Sequence, residues 1–176
     1  MKSTNPLLPL VAIAATQLTV RETSTNQGPG IAKYWKDTNY PTGYAERQPY
    51  CAAGISWVVA EASRGGIAFA LDHLPNFAAV VSWRDWAAKM SQVATAPRVQ
   101  VFKPRNAGLF PQAGDIVHLL PHTSHIELVE SFDGRTVHTI GFNTDVKGGR
   151  EGDGVYRRVR KYDFCGAFIR LPVKPS

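Results

Sequence analysis

A cysteine and a histidine, Cys51 and His125, stand in two different kinds of local sequence. Cys51 begins an apolar run with helical spacing, whereas His125 begins a later run that is typical of a strand. The free N–H groups and the dipole at the start of a helix favour a thiolate over a thiol. An imidazole held on a strand can accept the thiol proton and later protonate a leaving amine. The pair therefore indicates acyl chemistry at a cysteine.

The helix that would carry Cys51 is predicted over residues 51–64. Its apolar positions follow the i, i+3, i+4, i+7 spacing of an amphipathic helix, and they are Ile55, Val58, Val59 and Ala62. The following pair, Gly65-Gly66, is typical of a helix end. This segment would hold the thiol at the first turn of a packed helix.

The strand that would carry His125 is predicted to form a hairpin around Asp133-Gly134. A two-residue loop would pair His125 with Phe142, and a three-residue loop would pair it with Gly141. We favour the three-residue loop because it collects four apolar side chains on one face of the hairpin. These side chains are Ile126, Leu128, Ile140 and Phe142.

The favoured register places three polar residues, Glu127, Thr139 and Asn143, on the same face as His125. Asn143 would lie diagonally beside the imidazole and accept its N–H, as the third member of a Cys–His–Asn arrangement. The alternative is that Asn143 only begins the turn at residues 143–145.

The remaining pattern places helices first and strands afterwards. Further helices are predicted over residues 9–19, 31–37 and 82–93, the last with Ser82 as its N-cap and Asp85 completing a near capping box. Strands are predicted over residues 99–102, 115–120, 125–131, 136–142, 155–161 and 166–171. This order predicts an α+β fold, with N-terminal helices packed on a roughly six-stranded antiparallel sheet.

Length and composition indicate one folded domain over residues 1–176, since 44% of the residues are hydrophobic. The net charge of +6 favours an anionic partner such as nucleic acid, acidic lipid or a cell-wall polymer. Much of this charge falls in a strand-like run at residues 156–161, and neither a basic helix nor an RNA-binding aromatic motif accompanies it. We therefore expect no nucleic-acid partner.

The second cysteine and the N-terminus carry two further interpretations. Cys165 is predicted to be a buried strand residue, because a disulfide with Cys51 would consume the proposed nucleophile. The apolar segment at residues 6–15 resembles a short signal peptide, but two prolines interrupt it. We favour the first helix of the domain there, and no stretch is long enough to insert across a membrane.

Three ordered segments resemble cysteine/histidine-dependent amidohydrolase/peptidase (CHAP) domains. Residues 48–57 (QPYCAAGISW) are similar to the nucleophile segment Pro-Trp-Cys-Ala-Ala-Phe-Val-Ser-Trp of this family. Residues 111–117 (PQAGDIV) resemble the entry Pro-x-x-Gly-Asp-Ile-Val, and residues 124–131 (SHIELVES) resemble the strand His-Val-Gly-Ile-Val-Glu-Ser. In order and spacing, the resemblance extends from about residue 10 to residue 171.

The resemblance implies a papain-like fold and cleavage of peptidoglycan, at the sugar–peptide amide or within its peptides. It implies that Cys51 is the nucleophile and His125 the general base, with no cofactor. We accordingly expect a monomeric enzyme that acts on the cell wall, in the periplasm or outside the cell. The export route stays open, as do a phage or bacterial origin and the bond cleaved.

The chain departs from the family pattern near both reactive residues. Where the family often has Glu-Gly-Asn-Thr, residues 141–144 read Gly-Phe-Asn-Thr, so a glutamate is missing at Gly141. Glu127 stands where the family usually has glycine, and it either replaces that carboxylate or only shapes the cleft. Gly54 replaces a phenylalanine and predicts altered packing behind the nucleophile. The calcium loop that precedes the cysteine in some relatives is missing.

Other functions remain as alternatives. The histidines His118, His122 and His125 would suit a zinc-dependent hydrolase, although no His-Glu-x-x-His helix accompanies them. The changes at Gly54 and Gly141 favour a cell-wall-binding protein with impaired catalysis. A thiol acyltransferase or a secreted antibacterial effector on the same fold is a further alternative. The aromatic residues before Cys51 either line a cleft or pack an irregular loop, and these are Tyr34, Trp35, Tyr40, Tyr44 and Tyr50.

Overall fold

Three helices and a six-stranded sheet make up the regular structure of the described residues. The computed structural model describes residues 5–94, 97–106, 108–119, 125–147 and 152–175. The helices are α1 (Leu8–Ala15), α2 (Cys51–Arg64) and α3 (Val80–Ser91). The strands are β1 (Gln100–Phe102), β2 (Ile116–Leu119), β3 (Ile126–Phe132), β4 (Thr136–Thr144), β5 (Gly154–Lys161) and β6 (Cys165–Arg170). The sheet order is β1-β6-β2-β3-β4-β5, and every neighbouring pair is antiparallel. The predicted α+β class is confirmed.

The two faces of the sheet carry separate apolar clusters. On one face, alternate residues of β3 and β4 pack against the helices, and they are Ile126, Leu128, Ile140 and Phe142. On the other face, Val129 and Val137 join a smaller cluster with Phe168 and Cys165. The face assignment from the sequence is therefore confirmed, and Cys165 is a buried strand residue as predicted. Cys51 and Cys165 are both buried, and no disulfide joins them.

Helix α2 approaches the sheet closely through Gly54. A Cβ built on Gly54 would lie only 2.4 Å from ring atoms of Phe142 on β4. The ring of Phe142 thus occupies the space next to α2 that a larger side chain at position 54 would need. This close contact between Gly54 and Phe142 is the change in packing behind Cys51 that the sequence predicts.

The hairpin register differs from both predicted registers. Glu127 pairs with Gly141, and Phe132 pairs with Val137, with an irregularity between Val129 and Ser131. The turn begins one residue later than the favoured three-residue loop. It does so because Asp133 accepts hydrogen bonds from the backbone N–H groups of Arg135 and Thr136. The extra residue in the bulge restores the alternation of side chains that the favoured loop predicts. The predicted faces of β3 and β4 are therefore right, although the predicted residue pairs are wrong.

The helix boundaries differ in part from those predicted. Helix α2 begins and ends at the predicted residues. Helix α3 begins at Val80 with Ala79 as its N-cap, and therefore the predicted N-cap role of Ser82 and the capping box are wrong. The segment predicted at residues 31–37 is a 3-10 turn at Ala32–Trp35.

Helix α1 is shorter than predicted but belongs to the core. It ends at Ala15, and both Leu10 and Ala14 are fully buried. It packs against α2, β3 and β4. Among the described residues, no helix has the length and hydropathy needed to cross a bilayer.

Candidate active site

Cys51 is the first residue of α2 and borders a surface groove. Its side chain is 5% exposed, and the preceding residue, Tyr50, provides no side-chain cap for the helix. The first turn of α2 contains no acidic residue. The N–H groups of this turn are therefore directed to the neighbourhood of the sulfur, where they favour negative charge.

His125 lies in the interior immediately before β3 and contacts Cys51. Only 1% of its surface is exposed, and its carbonyl accepts a hydrogen bond of 3.1 Å from the N–H of Leu119. Burial opposes protonation of the imidazole, but contacts with the sulfur of Cys51 and the carboxylate of Glu127 outweigh it. Together they raise the pKa of His125 to about 9. The site therefore favours the imidazolium form of His125.

Glu127 is the carboxylate partner of His125. Its Oε1 lies 3.3 Å from the imidazole Nε2, at ion-pair distance but without the alignment of an ideal hydrogen bond. Burial raises the pKa of this carboxyl, whereas His125 and Arg160 lower it, and the result is a pKa of about 2. Glu127 is thus a fully buried charge with two cationic neighbours.

Asn143 lies near the end of β4 and contacts the segment that follows α1. It adopts a positive φ of 54° where the pairing of β4 with β5 is irregular. Its amide donates hydrogen bonds to Asn26 Oδ1 at 2.8 Å and to Glu22 Oε1 at 3.3 Å. Among the described residues, none of its hydrogen bonds reaches His125. Its catalytic role therefore stays a prediction, and its observed contacts fasten the segment between α1 and the 3-10 turn at Ala32–Trp35.

A groove of roughly 500 Å³ leads to Cys51. Trp35, Tyr40, Asn39 and Gln48 contribute its aromatic and amide groups, and Ala78, Ala79, Val80 and Val81 form the wall at the start of α3. None of the described side chains lining it is acidic or basic. The groove therefore suits a neutral segment of a substrate near the sulfur.

The five aromatic residues before the nucleophile divide between the two predicted roles. Tyr40 lines the groove and is exposed, Trp35 lines the groove from the core, and Tyr34 and Tyr50 are buried in the core. Tyr44 packs at the margin of the core. Both interpretations from the sequence therefore hold for part of the set.

The alternative zinc site has no support among the described residues. They contain no group of three or more potential ligand side chains, and His122 lies outside them. His118 is half-buried on β2, and burial, Arg84 and His125 lower its pKa. A neutral His118 beside His125 does not compete for the proton held there.

Arg160 on β5 is a site residue that the sequence pattern did not reveal. Its Nε donates a hydrogen bond of 3.0 Å to Glu127 Oε2, and its Nη2 contacts Oε1. It belongs to the basic, strand-like run at residues 156–161. The available signal was the charge at Glu127 inside an otherwise apolar strand, which requires a buried cation nearby.

Comparisons with known proteins identify no family. No protein-family model matches the chain, and no curated protein matches it significantly. Among solved structures, Ly7917 with the hydrolysing product of MDP is similar over 94% of this chain, with 14% identity and a TM-score of 0.45. A second structure of Ly7917 shows 16% identity over 94% of the chain and a TM-score of 0.43. The chain spans 63% and 62% of the length of these two structures. A likeness at this level assigns no function to this chain.

Proposed function

We propose that this protein is a cysteine amidohydrolase that cleaves an amide bond of peptidoglycan, with Cys51 as nucleophile and His125 as general base and acid. The observation that carries the proposal is that the buried imidazole of His125 interacts with the sulfur of Cys51, which lines the groove. A thiol, a buried imidazole and a helix N-terminus at one point are the components of a thiol acyl-transfer site.

The proposed reaction passes through a thioester. The thiolate of Cys51 attacks the amide carbonyl carbon, and the oxyanion faces the backbone N–H groups at the start of α2. Gln48, at the groove wall, is a second proposed donor to the oxyanion. The C–N bond then breaks as the imidazolium of His125 gives its proton to the leaving amine. His125 next takes a proton from water, whose oxygen attacks the thioester carbonyl. The C–S bond breaks and releases the acid and the thiolate of Cys51 beside the imidazolium, as at the start.

The substrate class rests on the three ordered motifs and on charge. The segments at residues 48–57, 111–117 and 124–131 resemble those of cell-wall amidohydrolases and peptidases. A net charge of +6 favours adsorption to an anionic wall. The proposed bond is the N-acetylmuramoyl–L-alanine amide or an amide within the peptides, and the proposed place of action is the cell wall. The sequence also places Asn143 in the catalytic set, and that role stays a prediction.

Two inhibitors and two variants distinguish a thiol mechanism from a metal-dependent mechanism. Turnover of purified peptidoglycan should be lost on treatment with iodoacetamide and on Cys51→Ala, and it should withstand a chelator. Cys165→Ala is the matched control, because that thiol is buried in β6 away from the groove. Chelator-sensitive turnover that Cys51→Ala leaves intact would overturn the proposal. Binding to peptidoglycan without turnover would favour the alternative of an impaired wall-binding protein.

A further inference from the structure

Glu127 fills the space that a side chain at position 141 would occupy. The two residues are directly paired across β3 and β4. A Cβ built on Gly141 would lie 2.7 Å from Glu127 Oε1, which is closer than real Cβ contacts allow. Because residue 141 is glycine, the carboxylate of Glu127 has room to extend past β4 and reach His125.

Every oxygen of this carboxylate has a partner in the interior. Oε1 contacts the imidazole Nε2 of His125 and the Nη2 of Arg160. Oε2 accepts hydrogen bonds from Thr139 Oγ1 at 2.6 Å and from Arg160 Nε at 3.0 Å. The contacts from β4 and β5 fix the carboxylate in one orientation and keep it charged.

We infer that Glu127 is the positioning residue of the site, and that it supplies from β3 the carboxylate that holds the His125 imidazole toward Cys51. This inference rests on the proposed function. Arg160 and Thr139 donate hydrogen bonds to this carboxylate, and through it they act on the orientation of His125. Glu127 does not contact the groove among the described residues that line it, so it acts through the histidine.

The electrostatic surroundings of His125 come from five elements. Cys51 on α2 and Glu127 on β3 favour the imidazolium, whereas His118 on β2 is close enough to interact with it. Arg160 on β5 acts at the carboxylate, and on β6 burial together with Glu127 raises the pKa of the Cys165 thiol to about 12. Cys165 therefore stays neutral, and Glu127 is the anion that a substitution can remove without touching the nucleophile.

The test is Glu127→Gln, compared with Glu130→Gln on the same strand. Glu130 pairs with Arg157 of β5 in the same manner but at the surface. Glu127→Gln should lower kcat/KM by about 100-fold or more. It should also lower the pKa of His125, measured by NMR, and slow alkylation of Cys51 by iodoacetamide at neutral pH. Glu130→Gln should leave all three unchanged.

Two further variants keep the inference falsifiable if Glu127→Gln does not fold. Glu127→Gln with Arg160→Gln removes both buried charges, and it should fold with the same lowered pKa of His125. The double variant Glu127→Gly with Gly141→Glu supplies the carboxylate from β4 instead of β3. It should recover much of the rate at which iodoacetamide alkylates Cys51. A folded variant without Glu127 that keeps the wild-type titration and alkylation would overturn the inference, and so would a folded exchange variant that recovers nothing. Neither readout uses peptidoglycan, so failure of the proposed function alone would appear as missing turnover with these shifts intact.

Discussion

The imidazole Nε2 of His125 lies 3.3 Å from Oε1 of Glu127, and both side chains are shielded from solvent. The pair is stabilising only while the imidazole is protonated and the carboxyl is ionised. This relationship connects the chemistry of the site to the pH dependence of folding.

We predict that stability falls as the pH rises from about 6.5 through 9. The folded pKa of His125 is raised to about 9 from 6.5, so its contribution is complete below 6.5 and is lost through 9. The folded pKa of Glu127 is lowered to about 2 from 4.5, so its contribution is complete above 4.5 and is lost as the pH falls through 2. Urea unfolding from pH 4 to 10 should show the highest stability between about 4.5 and 6.5. Stability that rises between pH 7 and 9 would contradict this assignment.

Asn143→Gly should weaken the fold without changing the titration of His125. Glycine tolerates the positive φ at this position, so the substitution removes mainly the amide that binds Asn26 and Glu22. Loss of these buried hydrogen bonds should lower the free energy of unfolding by about 1–3 kcal/mol. Urea unfolding and an NMR titration of His125 measure the two effects. A large fall in the pKa of His125 would instead support the Cys–His–Asn arrangement that the sequence predicts.

Tyr40→Ala should raise KM several-fold and leave kcat and stability nearly unchanged. Tyr40 lines the groove with 40% of its surface exposed, so its truncation removes substrate contact area rather than core packing. Phe164→Ala is the control, because Phe164 is an exposed aromatic residue outside the groove. Steady-state kinetics on a soluble peptidoglycan fragment distinguish the two variants. An equal effect of both substitutions on KM would contradict binding of the substrate in the groove.

Local pattern predicted the elements well, because each depends on neighbours in sequence. The spacing of apolar residues fixed α2, and alternation identified all six strands to within two residues at either end. Alternation also predicted which faces of β3 and β4 are apolar, since a bulge preserves it. The start of α3 was missed, because Ala79 has no side chain that signals a cap.

The partner of His125 could not be predicted in the same way. It depends on the exact register, which Asp133 and the bulge before Ser131 shift by two positions from the favoured pairing. It also depends on Arg160, a residue of β5 that the sequence alone does not place beside β3. A bulge and a buried ion pair between distant segments leave no periodic signal.

The most direct test of the proposed chemistry is mass analysis of peptidoglycan fragments after digestion of purified sacculi by the wild type and by Cys51→Ala. We predict that the wild type releases fragments in which one amide bond has gained a molecule of water, and their masses identify that bond. Cys51→Ala, shown by circular dichroism to be folded, should release none. The same fragments in equal yield from the folded Cys51→Ala variant would contradict the central claim that this thiol is the nucleophile.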